Sequence, residues 1–168
     1  MTALRPFLPA DTAILADIFC AAIEVLTQED YSDGQRAAWM AVSDDIETFR
    51  KRLAGALTLV ALVDGQPAGF ASLKGADCID MLYVHPDHIR AGVATTLIDA
   101  LEKLAMARGA TSLSADASDT AKPFFARRGY IGRSRNVIPL GDEWLANTTM
   151  VKAVAESVDL QNLPKVLH

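Results

Sequence analysis

The chain of 168 residues is 51% hydrophobic and 22% charged, and sixteen basic against twenty-one acidic side chains give a net charge of −5. That composition fits one globular domain with a real core, and it disfavours disorder, coiled-coil repeats and nucleic-acid binding through overall charge. Two cysteines, Cys20 and Cys78, lie far apart with no Cys-x-x-Cys pair or histidine cluster beside them, so neither a disulfide framework nor a metal site is expected, and the cytoplasm is the expected compartment. Arg5 is followed by Pro6, Pro9 and Asp11 rather than an apolar leader, and no run approaches the roughly 20 apolar residues of a membrane span. No membrane association is expected.

In chain order, residues 3–7 read as a short edge strand, with Pro6 tolerated there. Asp11 is expected to cap a helix whose Ile14, Leu15, Ile18, Phe19, Ala22, Ile23 and Leu26 recur at steps of three and four as one apolar face. After a polar break at 28–30, a short helix over 33–41 brings Tyr31, Gln35 and Trp39 close together on one face. Ser43 is expected to cap a third helix that ends before Gly55. Segments 57–63 and 66–73 form a hairpin around Asp64-Gly65, because that turn needs positive φ angles which Asp and Gly tolerate. A strand follows over 79–84, then a helix over 93–108 with Leu97, Ile98, Leu101, Leu104 and Ala105 inward and Gly109 past its end. Strand 112–115, helix 120–128 with Pro123 in its first turn, and strands 130–138 and 143–153 complete an α/β (α+β) sheet. One domain over 1–155 is expected, with a tail over 156–168 in which Leu160, Leu163 and Val166 carry no motif.

The segment from Ile79 to Ala94 is the most informative. Its strand stops at His85-Pro86 and reaches Gly92 just before a long helix. The first amides of a helix have no helical acceptor and share the positive end of the macrodipole, so an anion is stabilised there. Gly92 and Ala94 leave room for a phosphate, and Arg90 adds a charge-assisted contact. A tight turn into a helix is the plain alternative. His85 and His88 flank Pro86-Asp87 without companion ligands and read as loop residues.

Some thirty residues on stands Ala121-Lys-Pro-Phe-Phe-Ala-Arg-Arg-Gly-Tyr130. Together the two segments resemble the GNAT superfamily of acyl-CoA-dependent N-acetyltransferases. Ile89-Arg-Ala-Gly-Val-Ala94 is similar to the family's (Gln/Arg)-x-x-Gly-x-(Gly/Ala) signature, and the second segment to Ala-x-x-Phe-Tyr-x-x-x-Gly-Phe. The resemblance spans residues 3 to about 153. It implies a mixed, mostly antiparallel twisted sheet of six to seven strands with helices on both faces. It also implies acetyl-CoA as cosubstrate, with no metal, and direct transfer to an amine of a small molecule or peptide.

The coenzyme would be held by Ile89, Arg90, Ala91, Gly92, Val93, Ala94 and Thr95, by free main chain at Leu82, Tyr83 and Val84, and by Ser118, Phe124 and Phe125. Two positions depart from the pattern: Ile89 stands where Gln or Arg is usual, and Phe125 where the family has a Tyr that protonates the departing thiolate. The proton would then come from water, or from Tyr130, Tyr83 or Ser118.

A free alkylamine with pKa about 10.4 is protonated at neutral pH, so the reaction needs a route for that proton. Asp80 interrupts an apolar strand and is the candidate base or water-holding residue, placed by alternation on one face with Leu82 and Val84. Pairing with a nearby cation is its alternative role. Tyr31, Gln35 and Trp39 form the candidate acceptor wall, where an aromatic pair beside an amide suits a partly apolar cation, unless they merely pack the helices. Glu24, Glu29, Asp30, Asp33, Asp44, Asp45 and Glu47, opposed only by Arg36, would attract an amine or form a solvated face. Lys122, Arg127, Arg128, Arg133 and Arg135 offer at most one or two phosphate ligands. A degenerate acyl-CoA sensor or interaction module is the rival reading, and a homodimer is possible.

Overall fold

Asp64 (φ 51°) and Gly65 (φ 78°) adopt the left-handed backbone that reverses the chain between β2 (Leu57–Val63) and β3 (Gln66–Lys74), which pair antiparallel. The hairpin seeds a seven-stranded sheet in the computed structural model, which describes residues 1–154. The other strands are β1 (Thr2–Pro6), β4 (Cys78–Val84), β5 (Ser112–Ser118), β6 (Ile131–Leu140) and β7 (Glu143–Ala153). Their order across the sheet is β1-β2-β3-β4-β5-β7-β6, and only β4 and β5 run parallel. The helices are α1 (Thr12–Leu26), α2 (Asp33–Met40), α3 (Ile46–Ala54), α4 (Val93–Ala107) and α5 (Lys122–Arg127). The tail read over 156–168 lies outside the described residues.

Two apolar cores sandwich the sheet. On one face α4 buries Val93, Leu97, Ile98, Leu101 and Ala105 against Ala61, Ala71, Leu73, Leu113, Ala115 and Met150. On the other, α1 and α3 bury Leu15, Ile18, Phe19, Ile23, Phe49 and Leu53 against Val60, Phe70 and Met81. Truncating any of the fully buried leucines to Ala would cost about 2–5 kcal/mol.

Several sequence expectations change in detail. Asp11 makes no side-chain cap on α1; its carboxylate instead accepts from Leu8 N and takes a two-pronged ion pair from Arg5 at 2.7 and 2.8 Å. Ile14 is exposed rather than on the buried face. Asp45, not Ser43, caps α3 by accepting from Thr48 N at 3.1 Å, while Ser43 is buried and donates to Met40 O. β5 runs three residues past 115 to Ser118, because its alternation Ser112-Leu-Ser-Ala-Asp-Ala-Ser118 sends small apolar side chains to the α4 core and polar ones to the opposite face.

Candidate active site

The parallel ladder between β4 and β5 holds at Cys78↔Ser114 and Ile79↔Ala115 and then stops, so the two strands part beyond Ile79. Backbone geometry says which groups that frees. His85 N donates to Ala68 O at 2.8 Å, which fixes the alternation of the β3–β4 ladder. Tyr83 (with Phe70) and Met81 (with Ser72) therefore exchange main-chain bonds with β3, whereas the N–H and C=O groups of Leu82 and Val84 point toward the opened gap. Tyr83 is thus corrected: its main chain belongs to the sheet, and only its side chain borders the gap.

At the end of β4 the chain turns through Arg90 (φ 60°) and Gly92 (φ 79°) into α4. The first helical hydrogen bond is Thr96 N to Gly92 O, leaving the amides of Val93, Ala94 and Thr95 without helical acceptors. A Cβ at Gly92 would meet nothing within 4 Å, so glycine is required there by backbone angle rather than by space. Gly69 fixes the position of this helix end. A Cβ there would come within 2.9 Å of Tyr83 O and 3.1 Å of a Val93 methyl, so the missing side chain lets α4 seat directly on β3 and β4. The unpartnered amides, the open front at Gly92 and the side chains of Arg90 and Arg127 in the cleft lining fit a pyrophosphate-bearing coenzyme.

A cleft of about 700 Å³ runs through the gap. Of the expected coenzyme contacts, Leu82, Tyr83, Val84, Ile89, Arg90, Gly92, Val93, Ala94, Thr95, Ser118, Phe124 and Phe125 line it. Ala91 does not; it sits exposed in the turn. The pattern's missing Gln or Arg at Ile89 leaves an exposed apolar side chain beside Arg90.

Asp80 lines the same cleft, but on the other face of the sheet from that expected. Ile79 packs into the α4 core and Met81 into the α1 core, because the β3–β4 register shifts between Ser72 and Leu73 and Asp80 is the extra residue of a bulge. Leu82 and Val84 pack toward α4, while Asp80 faces α3 and pairs with Arg52 through Nε (2.9 Å) and Nη2 (3.1 Å). Burial works against the Arg52 charge, but the Asp80 partner outweighs it and holds that guanidinium above its usual value. Beside them lie Cys78, Asp116 and Asn147. Burial pushes the Cys78 thiol up, and the charges of Asp80 and Asp116 push it further, which disfavours a thiolate nucleophile. Asp116 accepts from Thr149 Oγ1 at 2.6 Å. Arg52 and Asp116 went unsingled in the sequence; the alternation of β5 already puts Asp116 among the polar positions of that strand.

The three acceptor candidates separate. Tyr31 is 5% exposed, donates to Ala146 O at 2.6 Å and accepts from Asp119 N at 2.9 Å, strapping the turn after α1 to β7 and to the β5–α5 turn. Burial, first of all, pushes its phenol up. Trp39 stacks edge-on at 5.3 Å from Tyr31, and its Nε1 donates to Tyr83 Oη at 3.2 Å; both rings line the cleft. Gln35 does not line it. Its side chain closes a capping box with Ser32 and donates to Trp144 O at 2.8 Å, a purely structural use.

The acidic run does not face the cleft either. Glu24 and Asp33 pair with the buried Arg36, Asp45 caps α3, Glu47 pairs with Arg50, and Asp30 accepts from Thr120.

Among the thiolate's candidate proton donors, Tyr130 is buried and donates to Glu102 at 2.9 Å; burial first, and then the Glu102 carboxylate, drive its phenol strongly upward. Tyr130 is outside the cleft lining, whereas Tyr83, pushed up to about 12 chiefly by burial, is within it. Ser118 Oγ accepts from Ala121 N at 3.1 Å at the turn into α5. Of the cationic stretch, Arg128 is consumed by Asp99 and Glu102 and Arg135 by Asp119; only Arg127 borders the cleft. His88 borders it as well, and among the described residues no three His, Cys, Asp or Glu side chains converge as metal ligands.

Comparison with known proteins meets this geometry. The family model "Acetyltransferase (GNAT) domain" matches residues 27–153. The uncharacterized N-acetyltransferase YafP of Escherichia coli (strain K12) is 34% identical over 147 residues, covering 88% of this chain and 93% of its own. A GCN5-related N-acetyltransferase from Rhodopseudomonas palustris superposes with a TM-score of 0.90 at 59% identity, covering 91% of this chain and 96% of that one. The PaiA N-acetyltransferase of Thermoplasma acidophilum, solved in complex with coenzyme A, shares the fold at a TM-score of 0.77 and 17% identity over 91% of this chain and 99% of its own. The chain belongs to the GNAT family of acetyl-CoA-dependent N-acetyltransferases, and the parted strands beside the amide-lined helix start are its candidate coenzyme site.

Proposed function

We propose that residues 1–155 act as one domain that moves an acetyl group from acetyl-CoA directly to a primary amine of a small molecule or peptide, bound between the sheet and α1, α2 and α3. The observation that carries this reading is the cleft's polarity. Main-chain groups of Leu82 and Val84 and the α4 amides lie toward one end, and Asp80, Arg52 and Asp116 lie on the opposite face of the same gap.

Bound acetyl-CoA supplies the activated acyl carbon. The main-chain groups of Leu82 and Val84 pair with its amide arm and carbonyl in a preorganised array. Asp80 accepts a hydrogen bond from the incoming ammonium. Arg52 already occupies one side of each Asp80 oxygen, so the carboxylate holds and orients the amine while water carries its proton away. As the nitrogen–carbon bond forms and the carbon–sulfur bond breaks, the nitrogen gives its second proton to water and the thiolate takes one from water, since Phe125 has none to give. The raised Cys78 thiol, and Cys20 lying away from the cleft, favour one direct step over an acyl-cysteine. Free cysteines fit a reducing compartment such as the cytoplasm.

Thiol release from acetyl-CoA across a panel of amines tests this reading: release that depends on the acceptor supports it. Coenzyme binding with no release from any amine would instead favour the sensor reading that the loss of the Tyr at Phe125 suggests.

A further inference from the structure

We infer that the acceptor is an amino acid, an amine with a carboxylate close by, and that Arg52 reads the carboxylate. The inference rests on the acetyl-transfer reading and deepens it. Three arginines line the cleft. Arg90 and Arg127 stand on the α4 approach and on α5, beside the helix start that suits the coenzyme's phosphates. Arg52 stands apart, in the last turn of α3, facing Asp80 on β4.

A guanidinium presents five N–H donors in a planar fork. Asp80 takes the edge formed by Nε and Nη2. Among the described residues nothing accepts from Nη1, so the second edge, Nη1 with the remaining Nη2 proton, is open to a carboxylate in the geometry that favours two parallel hydrogen bonds.

The local charges agree. Asp80 and Asp116 against Arg52 leave one net negative charge, which holds the ammonium, while the Arg52 cation, 2.9 Å from an Asp80 oxygen, holds the acid. A diamine would gain from the two carboxylates and be repelled by Arg52; a zwitterion meets both signs. Tyr31, Trp39, Leu145 and Ile138 in the same lining suit an apolar or aromatic side chain.

The experiment compares kcat/KM, by thiol release, for matched pairs that differ only in the carboxylate: phenylalanine with phenethylamine, and leucine with isoamylamine. The expected preference for the amino acid is about 10- to 100-fold, the worth of one charge-assisted pair. Arg52→Gln should collapse that ratio to within about threefold, and Arg52→Lys should leave an intermediate value because the point charge survives without the fork. The ratio is unaffected by a general loss of active protein. As a second readout, phenylalanine should alter Trp39 fluorescence in the wild-type protein and not in Arg52→Gln.

Amines used as well as their amino acids, or a preference unchanged in Arg52→Gln, would overturn the inference and leave acetyl transfer standing. Bound coenzyme A with no release from any amine or amino acid would overturn acetyl transfer and the inference with it.

Discussion

The Tyr31 hydroxyl offers a sharp separation of a strut from a substrate contact. Tyr31→Phe removes one oxygen and keeps the ring, including its 5.3 Å edge contact with Trp39. The oxygen donates to Ala146 O at 2.6 Å and accepts from Asp119 N at 2.9 Å at a residue only 5% exposed, so its loss leaves two backbone groups without these partners. At about 1–1.5 kcal/mol for each bond, the cost is about 2–3 kcal/mol. For a chain of this length each kcal/mol moves Tm by about 2–4 °C, so calorimetry should show a fall of roughly 5–10 °C. The freed segment also walls the acceptor side, so KM for the acceptor should rise severalfold while the Kd of coenzyme A stays the same. A Tm within 2 °C of wild type together with a raised acceptor KM would refute the strut and make the hydroxyl a substrate contact.

Gly92→Ala forces a side chain onto a backbone at φ 79°, a strain of about 1–2 kcal/mol that tilts the α4 amides, and calorimetric affinity for coenzyme A should fall by about tenfold. Asp80→Asn removes the charge that holds the amine and should lower kcat/KM for the acceptor by about 10- to 100-fold with coenzyme A affinity unchanged; an unchanged value at every pH would remove Asp80 from the reaction. Phe125→Tyr should change kcat by less than about threefold if water protonates the thiolate, and a large gain would show that a side-chain acid had been limiting. Asp11→Asn breaks the Arg5 pair and should cost about 1–2 kcal/mol at neutral pH. The Arg5 hydrogen bond holds the Asp11 carboxyl below the usual carboxylate range, outweighing burial, which raises it. Its contribution is therefore full above the ordinary carboxylate value and is lost as pH falls through the lower folded value. Urea melts of the two proteins should converge in acid and diverge at neutrality.

Much of the frame was legible because it rests on periodicity and turn chemistry. Asp64-Gly65 placed its hairpin, the three-and-four spacing of α1 and α4 placed their buried faces, and Gly92 before Val93 marked the amide-lined turn. What escaped depends on contacts distant in sequence or on single residues. Nothing local announces that Arg52 and Asp80, twenty-eight positions apart, form a pair. A one-residue bulge moved Asp80 to the other face from Leu82, and alternation alone has no way to register such an insertion. The acidic stretch from Glu24 to Glu47 left both an amine-attracting and a solvated face open, and the folded helices decide for several of its members: Glu24 and Asp33 pair with Arg36, Glu47 with Arg50, and Asp45 caps α3. Between the two roles left open for Gln35, the fold supplies the packing one: its cap to Ser32 is local, but Trp144, which accepts from its amide, is 109 residues away.

The most direct test of the enzyme itself joins two readings on one sample, calorimetric binding of coenzyme A and thiol release from acetyl-CoA over amines and amino acids. Stoichiometric binding that weakens in Gly92→Ala, with release only when an acceptor is present, is the expected result. Absence of coenzyme A binding by folded protein would contradict the assignment of the β4–α4 turn and, with it, the acetyl-transfer account.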